Sequence, residues 1–152
     1  MNIIKKQEIF DTWRLEIDNR INNWKNNLLR NNQDLRTDYS IASLIELERN
    51  LIINYDISSL KNENHYQVLD ACASYIGETI IRLLPDSKWH IYLDDVSNVD
   101  YGLPCVVTLY SGSISVHYLL REILSHKDGH VLKNRIEKIL TYDKFIREQL
   151  RS

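Results

Sequence analysis

Between Ala73 and Tyr110 the hydrophobic period changes from that of a helix to that of a strand, and this switch most restricts what the chain can fold into. The segment reads ASYIGETIIRLLPDSKWHIYLDDVSNVDYGLPCVVTLY. Pro85-Asp86-Ser87 ends a helix, because proline cannot continue one and Asp and Ser favour turns. Lys88 to Leu93 then alternates, with Trp89, Ile91 and Leu93 on one side, as a half-buried strand does. After an acidic loop, Pro104 to Tyr110 is β-branched and apolar and reads as a second strand. A connection this short pairs the two strands antiparallel. Ser111-Gly112-Ser113 reads as a turn.

Everything outside this unit carries a helical period. Phe10, Trp13, Ile17, Ile21, Trp24 and Leu28 follow spacings of 3, 4, 4, 3 and 4, which predicts one long amphipathic helix over 1–31. Asparagine is a mediocre helix former, so tertiary packing must hold this Asn-rich segment. The Trp13/Trp24 stripe reads either as core or as a face for a partner. A second helix starts near Asp38–Ser40 and runs to about Asn54, with Ser40 or Asp38 capping it, or Ser43 with Glu46 as a capping box. A polar loop over 56–64, with one turn near Ser59, leads into a helix from His65 to Leu84. Gly77 costs that helix about 0.5–1 kcal/mol against alanine, and close approach of another element explains its presence. Two more helices fit Ser115–Ser125 and His130–Leu150, separated by a break at Gly129. The chain of 152 residues is thus a single α+β domain, with a helix–sheet–helix core over 38–150. About five helices pack around a small antiparallel sheet with strands near 88–93 and 104–110.

Composition narrows the function. The net charge of −2 lacks the basic excess of a phosphate-binding domain, so no nucleic-acid partner is expected. No apolar run approaches the roughly 20 residues that span a bilayer, and Met1 to Lys6 leads into a charged helix rather than a signal peptide, so no membrane partner is expected and the expected location is the cytoplasm. Cys72 and Cys105 read as buried, reduced thiols. His126 and His130 have a zinc-like spacing, but a glycine lies between them and no further ligand completes the set, so no metal is expected. With four glycines there is no phosphate-cradling loop, and no cofactor is expected. Glu78 either pairs with Arg82 or turns inward toward the sheet or Trp89. Asp94 and Asp95 are neighbours at a strand end and point to opposite sides, which suits no two-carboxylate chemistry. No catalytic residue is therefore assigned. Asp94, Asp95, Asp100 and Tyr101 form an acidic, tyrosine-bearing loop, which reads either as a solvated loop or as a surface that docks into a basic cleft on another protein.

Three stretches carry a resemblance. They are Asp38-Tyr39-Ser40 with Ser43-Leu44 and Leu47-Glu48; Tyr75-Ile76-Gly77-Glu78 with Arg82 and Trp89; and Tyr101-Gly102-Leu103-Pro104. In order and spacing they resemble a loosely defined group of small bacterial proteins, some of which accompany polymorphic toxins as immunity proteins. The resemblance covers roughly Asp38 to Tyr110. It implies a cytoplasmic protein that binds and neutralises a cognate secreted toxin; no enzymatic activity is expected, and of the oligomeric states a monomer is favoured. An adaptor module bound through the first-helix face is the alternative, and a small hydrolase using Glu78 or Asp94/Asp95 is the third reading.

Overall fold

The computed structural model describes residues 2–152. It is an α+β fold of six α-helices and one three-stranded antiparallel sheet. The helices are α1 (Ile3–Leu15), α2 (Ile17–Arg30), α3 (Ile41–Asn54), α4 (Tyr66–Leu83), α5 (Val116–His126) and α6 (Val131–Arg151), and the strands are β1 (Lys88–Ile91), β2 (Pro104–Val107) and β3 (Ser113–Ser115). Short 3₁₀ turns at Ile57–Lys61 and Glu63–His65 occupy the loop before α4.

Two features differ from the sequence expectation. The first is a break at Glu16 in the expected 1–31 helix. In a continuous helix the Trp13 carbonyl accepts from the Ile17 amide. Here Arg20 Nη2 donates to that carbonyl at 2.9 Å, and the Glu16 amide turns back to Thr12 and Arg14. The apolar stripe survives the break: Phe10, Ile17, Ile21, Trp24 and Leu28 are all buried, and Trp13 is half-buried against them. The second is a third strand where a turn and a helix start were expected. Ser113–Ser115 pairs with β2, so that β2 is the central strand, with Cys105, Val106 and Ile114 fully buried. A strand of three residues is too short to show a period.

Helix α4 is the axis. Its run of small side chains admits neighbours on several sides, and Leu69 to Gly77, apart from half-buried Asp70, is buried throughout. Helix α2 lies along one side of it, while α5 and the sheet lie on others. Gly77 is where the sheet arrives. A Cβ placed there would lie 2.1 Å from Cη2 and 2.3 Å from Cζ2 of Trp89. Trp89 cannot easily withdraw, because its indole N–H donates to Glu78 Oε2 at 3.2 Å and Trp13 packs edge-on to it at 5.0 Å. Glu78 therefore takes the inward alternative. Arg82 stacks on Tyr39 instead, 3.4 Å from the ring centroid.

Helix α3 joins the core through polar contacts made inside it. Ser40 caps α3 by accepting from the Ser43 amide at 3.1 Å. The Ser43 hydroxyl accepts from Tyr75 OH at 2.7 Å, and Tyr75 OH accepts from the Tyr39 amide at 2.9 Å. Glu48, fully buried on α3, accepts from the Val131 and Leu132 amides at 3.0 and 2.8 Å. Those amides belong to the first turn of α6 and have no partner within the helix, and the helix dipole favours a carboxylate there. Near the other end of α6, Arg147 donates to Asp143, Asp86 and the Pro85 carbonyl, tying that helix to the α4–β1 turn.

Gly77→Ala should lower stability even though alanine favours the helix by about 1 kcal/mol. Overpacking a core costs about 1–3 kcal/mol, so the urea midpoint should fall. A midpoint equal to or above that of the parent chain would show that Trp89 is not held against Gly77.

Candidate partner-binding site

The acidic loop is a structured turn system. Tyr92 and Tyr101 form a bridge across its base, and the Gly102 amide donates to the Tyr92 carbonyl at 2.9 Å. Within it, the Asn98 amide reaches the Asp95 carbonyl at 3.1 Å and the Tyr101 amide reaches the Asn98 carbonyl at 3.0 Å. The Asp95 carboxylate accepts from the Ser97 amide at 2.9 Å and the Ser97 hydroxyl at 2.7 Å, an Asx-turn that supplies its own closing bonds. These donors hold the Asp95 carboxyl below the usual carboxylate range. Gly102, at φ +73°, provides the left-handed residue that returns the chain to β2.

The four residues expected to form the docking surface divide into two pairs. Asp94 and Asp95 are exposed. Asp100 and Tyr101 are half-buried and point to structural partners. Asp100 Oδ2 accepts from the Ser113 hydroxyl at 2.7 Å, fastening the loop to β3. Tyr101 OH accepts from Lys6 Nζ at 2.9 Å, and the same ammonium lies 4.6 Å from its ring centroid. Two residues absent from the sequence expectation complete the exposed surface: Val96 and Val99 are 80% and 79% exposed. Valines in a loop give no periodic signal, so only their placement on an ordered turn distinguishes them.

Beside the loop lies a second feature that sequence reasoning missed. Asp70 on α4 gathers side chains from three other helices. Trp13 Nε1 from α1 donates to both carboxylate oxygens at 3.1 and 3.0 Å. Arg20 Nε from α2 lies 3.4 Å from Oδ2 and donates to Ser74 Oγ at 3.1 Å. His117 Nε2 from α5 lies 3.1 Å from Oδ1. Burial alone pushes the Asp70 carboxyl up, but His117, Arg20 and the Trp13 N–H outweigh it and hold it below the usual range. Burial likewise pushes the Arg20 guanidinium down, against the charges of Asp70 and Glu16. The clue in the sequence was an aspartate inside the small, apolar run Leu69–Ala73, where a charged side chain needs partners.

Among the described residues, His117 Nδ1 is the one buried side-chain polar atom that meets no hydrogen-bond partner. A bare lone pair is easier to leave unpaired than an N–H, which places the ring proton on Nε2, facing Asp70. The nitrogen that a general base would use is thus sealed from solvent, and the Asp70–His117 pair acts as a joint between helices. Glu78 is occupied by Trp89, and Asp94 and Asp95 stand exposed, with no cationic side chain within 4.0 Å of either among the described residues. Cys72 and Cys105 are buried, free thiols whose pKa values burial pushes up to about 12, for Cys105 with help from the Asp100 charge. Such thiols are poor nucleophiles at neutral pH. Among the described residues no group of three His, Cys, Asp or Glu is placed to hold a metal ion, and no helix is long and apolar enough to cross a membrane.

No protein-family model matches the chain, and no curated protein or solved structure gives a match. The residues of the three stretches Asp38–Glu48, Tyr75–Trp89 and Tyr101–Pro104 have mainly scaffold roles in the fold. Tyr39, Ser43, Tyr75 and Arg82 form one stacked and hydrogen-bonded group, Glu48 caps α6, and Gly77 and Glu78 hold Trp89.

The Asp70 joint generates a pH prediction. Its folded pKa is depressed relative to the unfolded value of about 3.9, so its contribution to stability is present above that value and is lost as pH falls through the folded pKa. Asp70→Asn should therefore lower the unfolding midpoint at neutral pH. Its deficit relative to the parent chain should shrink as pH drops below about 4. An equal deficit at neutral and acid pH would show that the Asp70 charge contributes nothing.

Proposed function

We propose that the chain is a protein-binding inhibitor of the immunity type, which docks the Asp94–Tyr101 loop into a basic cleft of a toxic partner and blocks it. One observation carries this reading. A loop closed by its own hydrogen bonds presents two exposed valines, Val96 and Val99, beside the exposed carboxylates of Asp94 and Asp95. Preorganisation lowers the ordering cost of association, the valines supply apolar contact, and the carboxylates steer the approach to a cationic site. The adaptor alternative would have to use another face of α1 and α2, where Ile4, Leu15 and Leu29 are exposed, because the Phe10–Leu28 stripe is interior apart from half-buried Trp13. The proposed location is the cytoplasm, where an inhibitor of an incoming toxin must act.

Co-expression tests this. The product of the open reading frame immediately upstream should kill a permissive host, and this chain should restore survival. Asp94→Lys with Asp95→Lys should weaken complex formation by about a hundredfold, since like charges across an interface cost several kcal/mol. Asp100 is left intact, because it holds Ser113 and its replacement would test the fold. Full protection by the double variant would move the interface elsewhere, and toxicity without relief by the parent chain would overturn the inhibitor reading.

A further inference from the structure

Next to the loop, a cleft of about 620 Å³ opens between α1, the end of β1 and the segment Gly102–Pro104. That volume suits one small organic molecule. Its walls are apolar, supplied by Phe10, Ile9, Ile91, Leu103 and Pro104, with the Trp13 indole also lining it. Two polar groups converge on it: the Asp70–His117 joint at one side and Lys6 with Tyr101 at the other. Their electrostatic states differ. Asp70 is already paired with Arg20 and hydrogen-bonded to Trp13 and His117. Lys6 is half-buried and has no carboxylate within 4.0 Å among the described residues; its neighbours are a phenol oxygen and a ring face. An ammonium donates three hydrogen bonds, and Tyr101 accepts one. Lys6 also stands in the first turn of α1, which holds no acidic residue and whose dipole adds positive potential.

We infer that this cleft is a binding site for a small apolar, typically aromatic, carboxylate, with its ring system on Trp13 and Phe10 and its anionic group on Lys6. The inference does not depend on the inhibitor reading. The loop is exposed whether or not the cleft is filled, so the two can fail separately. A neutral ligand of the same shape leaves the ammonium unpaired and forfeits the charge-assisted bond. A cationic ligand is repelled by Lys6 and finds Asp70 already satisfied.

The test uses 4-phenylbutyrate and its neutral amide as probes of the full-length chain. Binding is followed by the indole N–H resonance of Trp13, assigned with Trp13→Phe. The carboxylate should shift that resonance saturably with a Kd below about 1 mM. The amide should bind about tenfold or more weakly, because a hydrogen bond to a charged group is worth more than a neutral one. Lys6→Met keeps the apolar stem, lies outside the Asp70 joint, and should abolish the difference between the two probes. Ile9→Trp, at the exposed rim, should exclude both. No saturable shift, equal binding of acid and amide, or a preference for the acid that persists in Lys6→Met would each overturn the assignment.

Discussion

The contact between Gly77 and the Trp89 indole sets the position of much of this molecule. It removes the one side chain that would hold the sheet away from α4, and it seats β1 against the helix. Once Trp89 is there, it packs nearly at right angles to Trp13 with the centroids 5.0 Å apart, and Trp13 can aim its N–H at Asp70. Arg20 then covers the Trp13 ring at 4.5 Å and donates to its carbonyl, where the N-terminal helix breaks at Glu16. The loop after β1 begins from a strand whose position the same contact has fixed. Dispersion between closely packed groups, rather than any single hydrogen bond, gives this arrangement its tolerance of fractions of an ångström.

Buried and half-buried carboxylates act as the fasteners between elements. Glu48 joins α3 to α6, Asp70 joins α1, α2 and α5 to α4, and Asp143 with Arg147 joins α6 to the α4–β1 turn. Removing a charge from water is costly unless the remaining lone pairs find donors. Each of the three has such partners: two helix amides for Glu48, an indole N–H, an imidazole and the nearby Arg20 guanidinium for Asp70, and the Arg147 guanidinium on Oδ2 of Asp143. Such groups add less to net stability than apolar burial does, but a mispacked alternative would leave them unpaired. They therefore specify which helix faces meet.

The sequence displayed most of this fold because amphipathic periods survive translation into structure. The stripe from Phe10 to Leu28 and the alternation around Trp89 lie inside, as their spacing requires. The α6 cap by Glu48 was not legible, since its partners are 83 and 84 residues away. The Asp70 joint was hidden for the same reason, with His117 47 residues and Trp13 57 residues distant. At the break at Glu16 the Trp13 carbonyl accepts from the Arg20 side chain, a pairing that no propensity encodes. At the candidate site the acidic character was visible, but its division was not. Asp94 and Asp95 face solvent, whereas Asp100 and Tyr101 are structural, because Ser113 and Lys6 reach them only in the folded chain.

A docking surface on a loop requires that the loop be formed before its partner arrives. Hydrogen exchange of the Asn98, Tyr101 and Gly102 amides in the free protein measures this directly, because each donates to a carbonyl within the loop or at its base. A preformed loop predicts exchange slowed by about tenfold or more relative to an unstructured chain, through opening events short of global unfolding. Exchange at the unstructured rate would mean that the loop is ordered only on binding, and the surface of Asp94, Asp95, Val96 and Val99 would no longer exist in the free molecule.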